Sequence, residues 1–413
     1  MPGYALAMDL GTTTLAASLM DRATGQRLAM TGGMNPQRRF GADVVSRLAA
    51  AVHSEEALQE MARLIRTELL RLAHDLCAES CVPWGEVKQV AIAGNPAMQH
   101  LLLKLPVKTL AFPPYRPLFT GGKRVTAGEL EWDGAAPVYL FPMPGGFVGG
   151  DTVAFLYGAR PGEAALCLDM GTNGEMALTA GATIWATSAA AGPAFEGGNL
   201  SCGMAALPGA ITSIRIEGER VKIATLGNRE PVGICGSAAI ELVTELLACG
   251  VLEAGGRLRT SAEIPSNLGQ RVIEQEGESA FVIHRDARGL LLLTQRDIRQ
   301  IQLAKGAIRA GMEVLAERSG IPFPGLKEVL LTGSFGAVLR PLWLKTIGIF
   351  DAGMVQISQF TPEGALAGVE RALAEHDDFA SVERLGMRFR VVPLSGTPLF
   401  ETMFMKHMDF PQP

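Results

Sequence analysis

The pattern of apolar and polar positions predicts alternating strands and helices, and one strand–turn–strand pattern occurs twice. Residues 4–8 are apolar and lead into Asp9-Leu-Gly-Thr-Thr-Thr14, which a second apolar stretch, 15–20, follows. Much later, the apolar residues 164–168 lead into Asp169-Met-Gly-Thr-Asn-Gly174 and then into 176–179. Each copy therefore predicts a buried strand, a tight turn and a second strand.

The rest of the first half predicts a β-β-β-α-β-α order. We expect a third strand over 26–31, helices over 42–52 and 57–76, a buried strand over 87–93 and a short helix over 97–104. The second helix carries apolar residues at helical spacing from Leu58 to Leu76. Residues 112–146 are rich in Pro and Gly, which favours an irregular segment. Asp151 is predicted to cap the helix that follows it.

The second half predicts Gly- and Ala-rich loops over 186–209, helices over 237–247 and about 294–318, and a strand over 327–332. That strand leads into Gly333-Ser-Phe-Gly336 and a further helix. No linker of distinct composition separates the two halves. We therefore predict two closely associated lobes, 1–150 and 151–413, around one cleft.

Composition narrows the class of protein. Of the 413 residues, 48% are hydrophobic and 19% charged, as in an ordinary globular protein. The net charge is only −5 and no stretch is rich in Lys or Arg, which argues against a nucleic-acid surface. The sequence contains neither a signal-type apolar segment before Asp9 nor an uninterrupted apolar stretch of 18 residues, so we expect a cytoplasmic protein without a membrane partner.

The residues of the two repeated turns are suited to phosphate. Glycine lets backbone N–H groups converge in a tight turn, and hydroxyl and amide side chains add hydrogen-bond donors. Asp9 and Asp169 would repel phosphate unless each held a Mg²⁺, directly or through water. The sequence thus predicts two hairpins that hold the phosphate chain of a nucleotide from both sides. The expected phosphate-binding residues are Gly11, Thr12, Thr13 and Thr14 in the first turn and Gly171, Thr172, Asn173 and Gly174 in the second.

These two turns and the late strand–glycine turn resemble, in the same order, the loops of the actin/Hsp70/sugar-kinase ATPase superfamily. Residues 9–14 match phosphate loop 1, 169–174 match phosphate loop 2 and 331–336 match the adenosine loop. The resemblance implies an α/β protein with a duplicated actin-like (ribonuclease H-like) fold and a cleft for ATP and Mg²⁺. It also implies that Gly333, Ser334 and Gly336 let the backbone approach adenosine and that Glu241 lies near the ribose.

Catalytic roles follow from the same comparison. Asp9 and Asp169 are predicted as catalytic residues and metal ligands. Glu175 is predicted to position the attacking water, and its interpretation as an exposed strand residue stays open. Arg47, Glu196 and Lys305 are interpreted as surface or salt-bridge residues rather than cleft residues.

A closer resemblance covers nearly the whole chain. Eight segments are similar to those of the reductive activators of corrinoid proteins: 35–37, 41–47, 94–103, 169–175, 191–197, 201–204, 233–237 and 302–306. Those ATPases return Co(II) corrinoid proteins to Co(I) in methyltransferase systems. The resemblance implies a corrinoid protein as partner and is compatible with a homodimer. We expect 186–204 to contact the partner, because its small residues and Gly let a bulky surface approach closely, and a tightly packed lobe interface stays open as the alternative.

Three departures from that family matter. Its members usually carry an iron–sulfur ferredoxin domain, whereas this chain starts at phosphate loop 1, so we expect a separate ferredoxin-type electron donor. Only Cys77 and Cys81 of the six cysteines are close in sequence, and we expect no iron–sulfur cluster in this chain. Pro96 stands where the family commonly has Thr, and Ser334 stands where it has a second Gly.

Alternative functions remain open at this point. A small-molecule kinase of the same superfamily shares the nucleotide loops but needs an acceptor pocket with a catalytic Asp. A nucleotide-binding scaffold would bind without turnover, and a dehydratase-activating ATPase would bridge a cluster across a homodimer.

Overall fold

The computed structural model describes residues 3–333 and 339–412. Their first half contains six strands and five α-helices. In chain order these are β1 (Tyr4–Leu10), β2 (Thr14–Asp21), β3 (Arg27–Met34), α1 (Val44–His53), α2 (Glu55–Glu79), β4 (Val87–Gly94), α3 (Pro96–Leu102), α4 (Lys108–Ala111), β5 (Lys123–Val125), β6 (Val138–Leu140) and α5 (Gly150–Ala159).

The second half of the described chain contributes twelve strands and seven helices. They are β7 (Ala165–Met170), β8 (Gly174–Ala180), β9 (Thr183–Ala189), β10 (Ala210–Glu217), β11 (Arg220–Thr225), β12 (Gly233–Ile234), α6 (Gly236–Ala248), β13 (Val272–Gln275), β14 (Glu278–Asp286), β15 (Gly289–Thr294), α7 (Gln295–Ser319), β16 (Glu328–Thr332), α8 (Pro341–Thr346), α9 (Ala352–Ile357), β17 (Ser358–Phe360), α10 (Gly364–Ala374), α11 (Ala380–Gly386), β18 (Phe389–Val391) and α12 (Pro398–Lys406).

The first six-stranded sheet has the order β3-β2-β1-β4-β6-β5. Strand β1 pairs antiparallel with β2 over its whole length and parallel with β4 on its other side. Leu6, Met8 and Leu10 of β1 lie in one core with the apolar stripe of α2 that runs from Leu58 to Leu76. The predicted hairpin, third strand and amphipathic helix are therefore confirmed.

The expectation of an irregular segment over 112–146 was wrong in part. Strands β5 and β6 lie within it, and β6 extends the sheet by pairing parallel with β4. Val138 and Leu140 are buried in the core. A strand of three residues is too short to show a periodicity between Pro and Gly, which is why the pattern concealed it.

The predicted cap of α5 was also wrong. Helix α5 begins at Gly150 with Gly149 as its N-cap, so Asp151 lies in the first turn and accepts the Thr152 N–H at 2.7 Å. A Cβ at position 149 would lie 2.5 Å from the Asn95 Cα. The chain therefore passes too close to Asn95 for any residue with a side chain to occupy the cap position.

The second six-stranded sheet has the order β17-β16-β7-β8-β9-β18, and its β7 and β8 are the strands of the second predicted hairpin. Two three-stranded sheets, β11-β10-β12 and β13-β14-β15, accompany it. The predicted long helix is α7, which Thr294 and Asp297 start with reciprocal side-chain caps and Gly320 ends in a left-handed conformation. The α/β class predicted from the sequence is confirmed.

The chain forms two compact units. Unit 1 contains residues 1–167, 177–187 and 361–392, and unit 2 contains residues 168–176, 188–360 and 393–413. The sequence boundary between 150 and 151 and the cleft between two lobes stay predictions. No helix formed by residues 3–333 and 339–412 combines the length and apolarity that crossing a bilayer requires.

Candidate functional site

Phosphate loop 1 forms a tight turn in which position 11 has room only for glycine. A Cβ at position 11 would lie 2.5 Å from the Thr14 carbonyl oxygen, well inside van der Waals contact. The flanking strands stay in register up to the turn, where Leu10 pairs with Leu15 and Asp9 with Ala16. The sequence thus folds here as predicted, with Asp9 one residue before the end of β1.

Two residues from other parts of unit 1 hold this turn with three hydrogen bonds. Asn35 Nδ2 donates to the Gly11 carbonyl at 2.9 Å, and the Asn35 N–H donates to the Thr13 carbonyl at 2.9 Å. Arg47 Nη1 donates to the Thr12 carbonyl at 2.8 Å. These bonds fix the carbonyl groups of three consecutive residues, which restrains the backbone of the loop.

Asn95 orients the Thr12 hydroxyl by a hydrogen bond. Its Nδ2 donates to Thr12 Oγ1 at 2.9 Å, and its Oδ1 accepts the Met98 N–H at 3.0 Å as the N-cap of α3. Because the hydroxyl oxygen accepts from Asn95, its own hydrogen is left to donate, which suits an anion. Pro96 occupies the first turn of α3, where a backbone N–H has no partner within the helix, so the loss of that N–H costs the helix little.

Phosphate loop 2 lies in unit 2 and is closed by a carboxylate. The Gly171 N–H donates to the Asn173 carbonyl at 3.0 Å, and Thr172 Oγ1 donates to Glu196 Oε2 at 2.7 Å. Gly174 has a close neighbour, since a Cβ there would lie 2.9 Å from Ile308 of α7. The structure therefore adds one carboxylate that the sequence interpretation had placed on the surface.

Glu175 and Glu196 are both half-buried beside this loop. Glu175 accepts a hydrogen bond from Ser188 Oγ at 3.1 Å. Burial raises the pKa of the Glu196 carboxyl above its ordinary value, and the hydrogen bond from Thr172 offsets part of that rise. A carboxyl with a raised pKa next to a phosphate-type loop is a candidate for proton transfer or for orienting water.

Gly333 brings the end of β16 against phosphate loop 2. Its φ is +94°, and a Cβ there would lie 2.6 Å from Asp169 Oδ1 and 2.8 Å from the Met170 carbonyl oxygen. Glycine is therefore required both by conformation and by space. The other two predicted adenosine-loop residues, Ser334 and Gly336, lie outside the described residues.

A cavity of about 560 Å³ lies in unit 2, within the range of small-molecule sites. Its lining residues come from β10, α6, β16, β17 and the segment that starts α8, and they are both polar and aromatic. They include Ser213, Glu241, Leu331, Arg340, Trp343 and Phe360. The sequence singled out Glu241 and, in the adenosine-loop range, Leu331. It missed Arg340, Trp343 and Phe360, because they belong to short elements without a recognisable motif.

Glu241 is fixed by strand β10. Its side chain is only 2% exposed, and its Oε2 accepts from Ser213 Oγ and from the Ile214 N–H, both at 2.8 Å. The carboxylate thus ties α6 to β10 at the wall of the cavity. Its predicted proximity to a ribose stays a prediction.

Comparison with known proteins agrees with this geometry. The family described as "C-terminal domain of RACo the ASKHA domain" matches residues 163–413, and "RACo middle region" matches residues 4–160. The chain belongs to the RACo family. The predicted resemblance to reductive activators of corrinoid proteins, with their actin-like ATPase fold, is confirmed.

Individual members of the RACo family are similar over most of the chain. "Corrinoid activation enzyme RamQ" from Eubacterium limosum is 31% identical over 344 residues, which are 81% of this chain and 58% of that protein. "[Co(II) methylated amine-specific corrinoid protein] reductase" from Methanosarcina barkeri is 26% identical over 396 residues, 86% of this chain and 67% of that protein.

A solved structure is also similar throughout. "Reductive activator for corrinoid,iron-sulfur protein" has a TM-score of 0.86 and 29% identity, covering 100% of this chain and 66% of that one. The chain thus spans about three fifths to two thirds of the length of these RACo relatives.

Three charged residues of the segments shared with the RACo family are not where the sequence analysis placed them. Arg47 is fully buried in unit 1, and Glu196 closes phosphate loop 2. Lys305 is 1% exposed, donates to the Asp409 carbonyl and lies over the Phe410 ring. Burial lowers the pKa of Lys305 to about 8. Their interpretation as surface or salt-bridge residues was therefore wrong.

Asp151 is a further carboxyl that the sequence analysis treated only as a helix cap. It lies in unit 1, in the first turn of α5, whose start packs against Asn95 beside phosphate loop 1. Burial raises the pKa of Asp151 to about 6. A Gly-Gly-Asp helix start was the only sequence signal for it, and that signal does not distinguish a cap from a functional carboxyl.

Proposed function

We propose that this chain is the ATP-binding and ATP-hydrolysing part of an activator that drives reduction of Co(II) to Co(I) in a corrinoid protein of a methyltransferase system. The observation that carries the proposal is a RACo-family match over residues 4–160 and 163–413 that includes both phosphate loops. The named relatives act on corrinoid proteins, which supports a corrinoid partner here.

ATP and Mg²⁺ fit the residues present. The tight turn at Gly11 and the Thr12 hydroxyl that Asn95 orients form a cradle for phosphate oxygens. We assign phosphate binding to Gly11, Thr12, Thr13 and Thr14 and to Gly171, Thr172, Asn173 and Gly174, and metal binding to Asp9 and Asp169. Bound Mg²⁺ neutralises phosphate charge and orients the phosphate chain.

The cavity of unit 2 is assigned to the nucleoside. Trp343 and Phe360 offer aromatic faces for a purine, and Glu241 and Ser213 offer polar groups for a ribose. The glycine at position 333 lets the backbone approach, as the resemblance to the adenosine loop implies. Support for this assignment comes from the cavity volume of about 560 Å³ and from its mixed lining.

Hydrolysis requires a group that orients the attacking water. We retain Asp9, Asp169 and Glu175 as catalytic residues and add Glu196, whose raised pKa and hydrogen bond with Thr172 place a carboxyl beside phosphate loop 2. A carboxylate at Glu196 accepts the Thr172 O–H, which orients that side chain in the loop.

ATP hydrolysis cannot change the potential of an electron donor. It can drive reduction only if the protein binds its corrinoid partner with different affinity in the ATP and ADP states. Identical partner affinity with ATP, with ADP and without nucleotide would exclude this coupling. We propose that a separate ferredoxin-type protein supplies the electron and that the activator acts on the partner's conformation.

The decisive experiment follows the cobalt spectrum of a Co(II) corrinoid protein encoded near this chain. The sample is anaerobic and contains a low-potential reductant and this chain, with and without MgATP. We expect Co(I) to accumulate only with ATP and to fail with Asp9→Ala. If ATP binds and the cobalt is unchanged, the activator proposal is wrong and a small-molecule kinase or a nucleotide-binding scaffold replaces it.

A further inference from the structure

Arg47 of helix α1 is a fully buried arginine, with 0% of its surface exposed. Its Nη1 donates to the Thr12 carbonyl of phosphate loop 1 at 2.8 Å, and its Nε donates to the Gly41 carbonyl at 3.0 Å. Its Nη2 is buried and has no hydrogen-bond partner in the part of the chain that the structure describes. The Arg47 side chain therefore binds the backbone of the loop, and one of its donor nitrogens, Nη2, is left over.

Within residues 3–333 and 339–412, no carboxylate forms an ion pair with Arg47. Asp43 offsets this charge in part, although its two oxygens already accept the N–H and the hydroxyl of Ser46 at the start of α1. Burial lowers the pKa of Arg47 to about 10, so the group stays charged at neutral pH. A buried, unpaired guanidinium costs stability, and an apolar residue of similar volume would be more favourable.

The other buried arginines of the described chain differ in this respect. Arg66 of α2 donates to the Leu102 carbonyl at 2.8 Å and to Glu131 at 2.6 Å. Arg309 of α7 pairs with Glu313 and Asp351 at 3.0 and 3.1 Å. Of these three buried arginines, Arg47 lacks a carboxylate partner among the described residues. It is also the one that binds phosphate loop 1.

We infer that Arg47 is a positioning residue for phosphate loop 1, and that the bound phosphate chain is the anion that offsets its buried charge. The inference rests on the proposed function, because it needs a phosphate ligand at this loop. Arg47 holds the Thr12 carbonyl, which fixes the direction of the neighbouring backbone N–H groups. Its positive charge, screened little inside the protein, favours a polyanion over a neutral ligand at the same loop.

The inference predicts that loss of Arg47 weakens the binding of MgATP but not the binding of adenosine. Arg47→Met removes the charge and keeps most of the volume, so affinity for MgATP should fall roughly 10-fold or more, because the ligand loses the attraction of a nearby buried charge and the Thr12 carbonyl loses its donor. Affinity for adenosine, measured by the same calorimetric titration, should change less than about twofold, because the nucleoside cavity belongs to unit 2. Arg47→Lys, which keeps the charge, should recover part of the MgATP affinity.

Arg66→Met is the matched control, since Arg66 is also a buried arginine of unit 1 that donates to a backbone carbonyl. It should leave both affinities unchanged even if it lowers the unfolding temperature. Equal MgATP affinity in folded Arg47→Met and wild type would overturn the inference. So would an equal loss of adenosine and MgATP affinity in Arg47→Met, because a merely structural role predicts that pattern.

Magnesium tripolyphosphate separates this inference from the proposed function. If the wild-type chain binds tripolyphosphate but not MgATP, the ATPase proposal fails, and the same Arg47→Met comparison on tripolyphosphate still decides the role of Arg47. If wild type binds neither, both proposals are wrong. Binding of both ligands by wild type and weakened binding of both by Arg47→Met supports them together.

Discussion

At the scale of single residues, two glycines with positive φ separate two reasons for glycine: the backbone conformation and the lack of room for a Cβ. Gly333 has φ +94° and its Cβ position lies 2.6 Å from Asp169 Oδ1. Gly320 ends α7 with φ +72° and has nothing within 4 Å of its Cβ position. Alanine at either position meets backbone strain, but only at position 333 does it also collide with a predicted metal ligand.

We therefore expect Gly320→Ala to destabilise the protein by about 1 kcal/mol, through left-handed backbone strain alone. Gly333→Ala should cost roughly 2–4 kcal/mol, because the collision with Asp169 adds to that strain. It should also weaken MgATP binding at least about tenfold, a loss of 1.4 kcal/mol, by displacing the carboxylate. Urea unfolding and ATP titration of both variants test this, and equal effects of the two substitutions would contradict it.

Glu196 gives a prediction with a defined pH dependence. Its folded-state pKa is raised, so the stability it contributes is fully present below the ordinary glutamate pKa of about 4.3. That stability is lost as the pH rises through the higher folded-state value. Relative to wild type, the unfolding temperature of Glu196→Gln should therefore rise as the pH increases above about 4.3, apart from a pH-independent offset for the altered bond with Thr172.

The same variant tests the catalytic role of Glu196. We expect Glu196→Gln to bind MgATP normally and to hydrolyse it roughly 100-fold more slowly, as when a general base is removed. Glu175→Gln is the matched comparison, because Glu175 also lies beside phosphate loop 2. Single-turnover hydrolysis of both variants identifies the carboxylate that orients water. A wild-type rate in Glu196→Gln would leave Glu175 as the remaining candidate.

The sequence predicted the loop residues but not the side chains that support the loops. Asp9, Gly11 and Thr12 stand together in a phrase with an evident chemistry. Glu196 follows Thr172 by 24 residues across a Gly- and Ala-rich segment, and only the fold brings their side chains to 2.7 Å. Arg47 is a charged residue on an amphipathic helix, and periodicity assigns such positions to solvent.

At the scale of elements, helix α6 and strand β10 are joined by two glutamates one helical turn apart. Glu241 Oε2 accepts the Ile214 N–H at 2.8 Å, and Glu245 Oε2 accepts the Ile216 N–H at 2.8 Å. Only Glu241 lines the cavity of unit 2. The pair therefore allows the structural function of these carboxylates to be separated from a function in nucleoside binding.

We expect Glu241→Ala and Glu245→Ala each to lower the free energy of unfolding by roughly 1–3 kcal/mol, since each leaves a strand amide without its charged acceptor. Only Glu241→Ala should also weaken adenosine binding, about tenfold or more, by removing a polar group of the cavity wall. Denaturation and calorimetric titration measure the two effects. Unchanged adenosine affinity in Glu241→Ala would assign Glu241 to structure alone.

Elements with a long periodic pattern were predictable and short ones were not. The predicted helix over 57–76 is α2 (Glu55–Glu79), and the predicted helix over about 294–318 is α7 (Gln295–Ser319). The strands β5, β6 and β17 have three residues each. Their positions depend on pairing with distant strands, such as β4 for β6, and pairing over long sequence separation leaves no local pattern.

At the scale of the whole molecule, each compact unit is built from segments that are far apart in the sequence. Residues 361–392 belong to unit 1, although unit 2 contains most of the second half of the chain. Helix α10 explains this, because Glu370 of that helix accepts from Ser18 of β2 at 2.5 Å and from Arg27 of β3 at 2.6 Å. A single boundary in the sequence, such as the predicted one between 150 and 151, cannot assign a late segment to the first unit.

The proposed function predicts how ligands stabilise the protein. A ligand that binds only the folded chain stabilises it by about 2.7 kcal/mol at a concentration of 100 times its dissociation constant. For a chain of this size that corresponds to a rise of a few degrees in unfolding temperature. Adenosine should use the cavity of unit 2 alone, whereas MgATP should also need phosphate loop 1 in unit 1.

We therefore expect Asp9→Asn to abolish most of the additional stabilisation that MgATP gives over adenosine while leaving the adenosine effect intact. Asp169→Asn in unit 2 should lose the same MgATP increment, since both carboxylates are proposed metal ligands. Thermal unfolding with adenosine and MgATP at the same ligand concentration, well above both dissociation constants of the wild-type chain, measures these shifts. A full MgATP increment in Asp9→Asn would mean that phosphate loop 1 does not take part in nucleotide binding, which would remove the physical basis of the proposed ATPase.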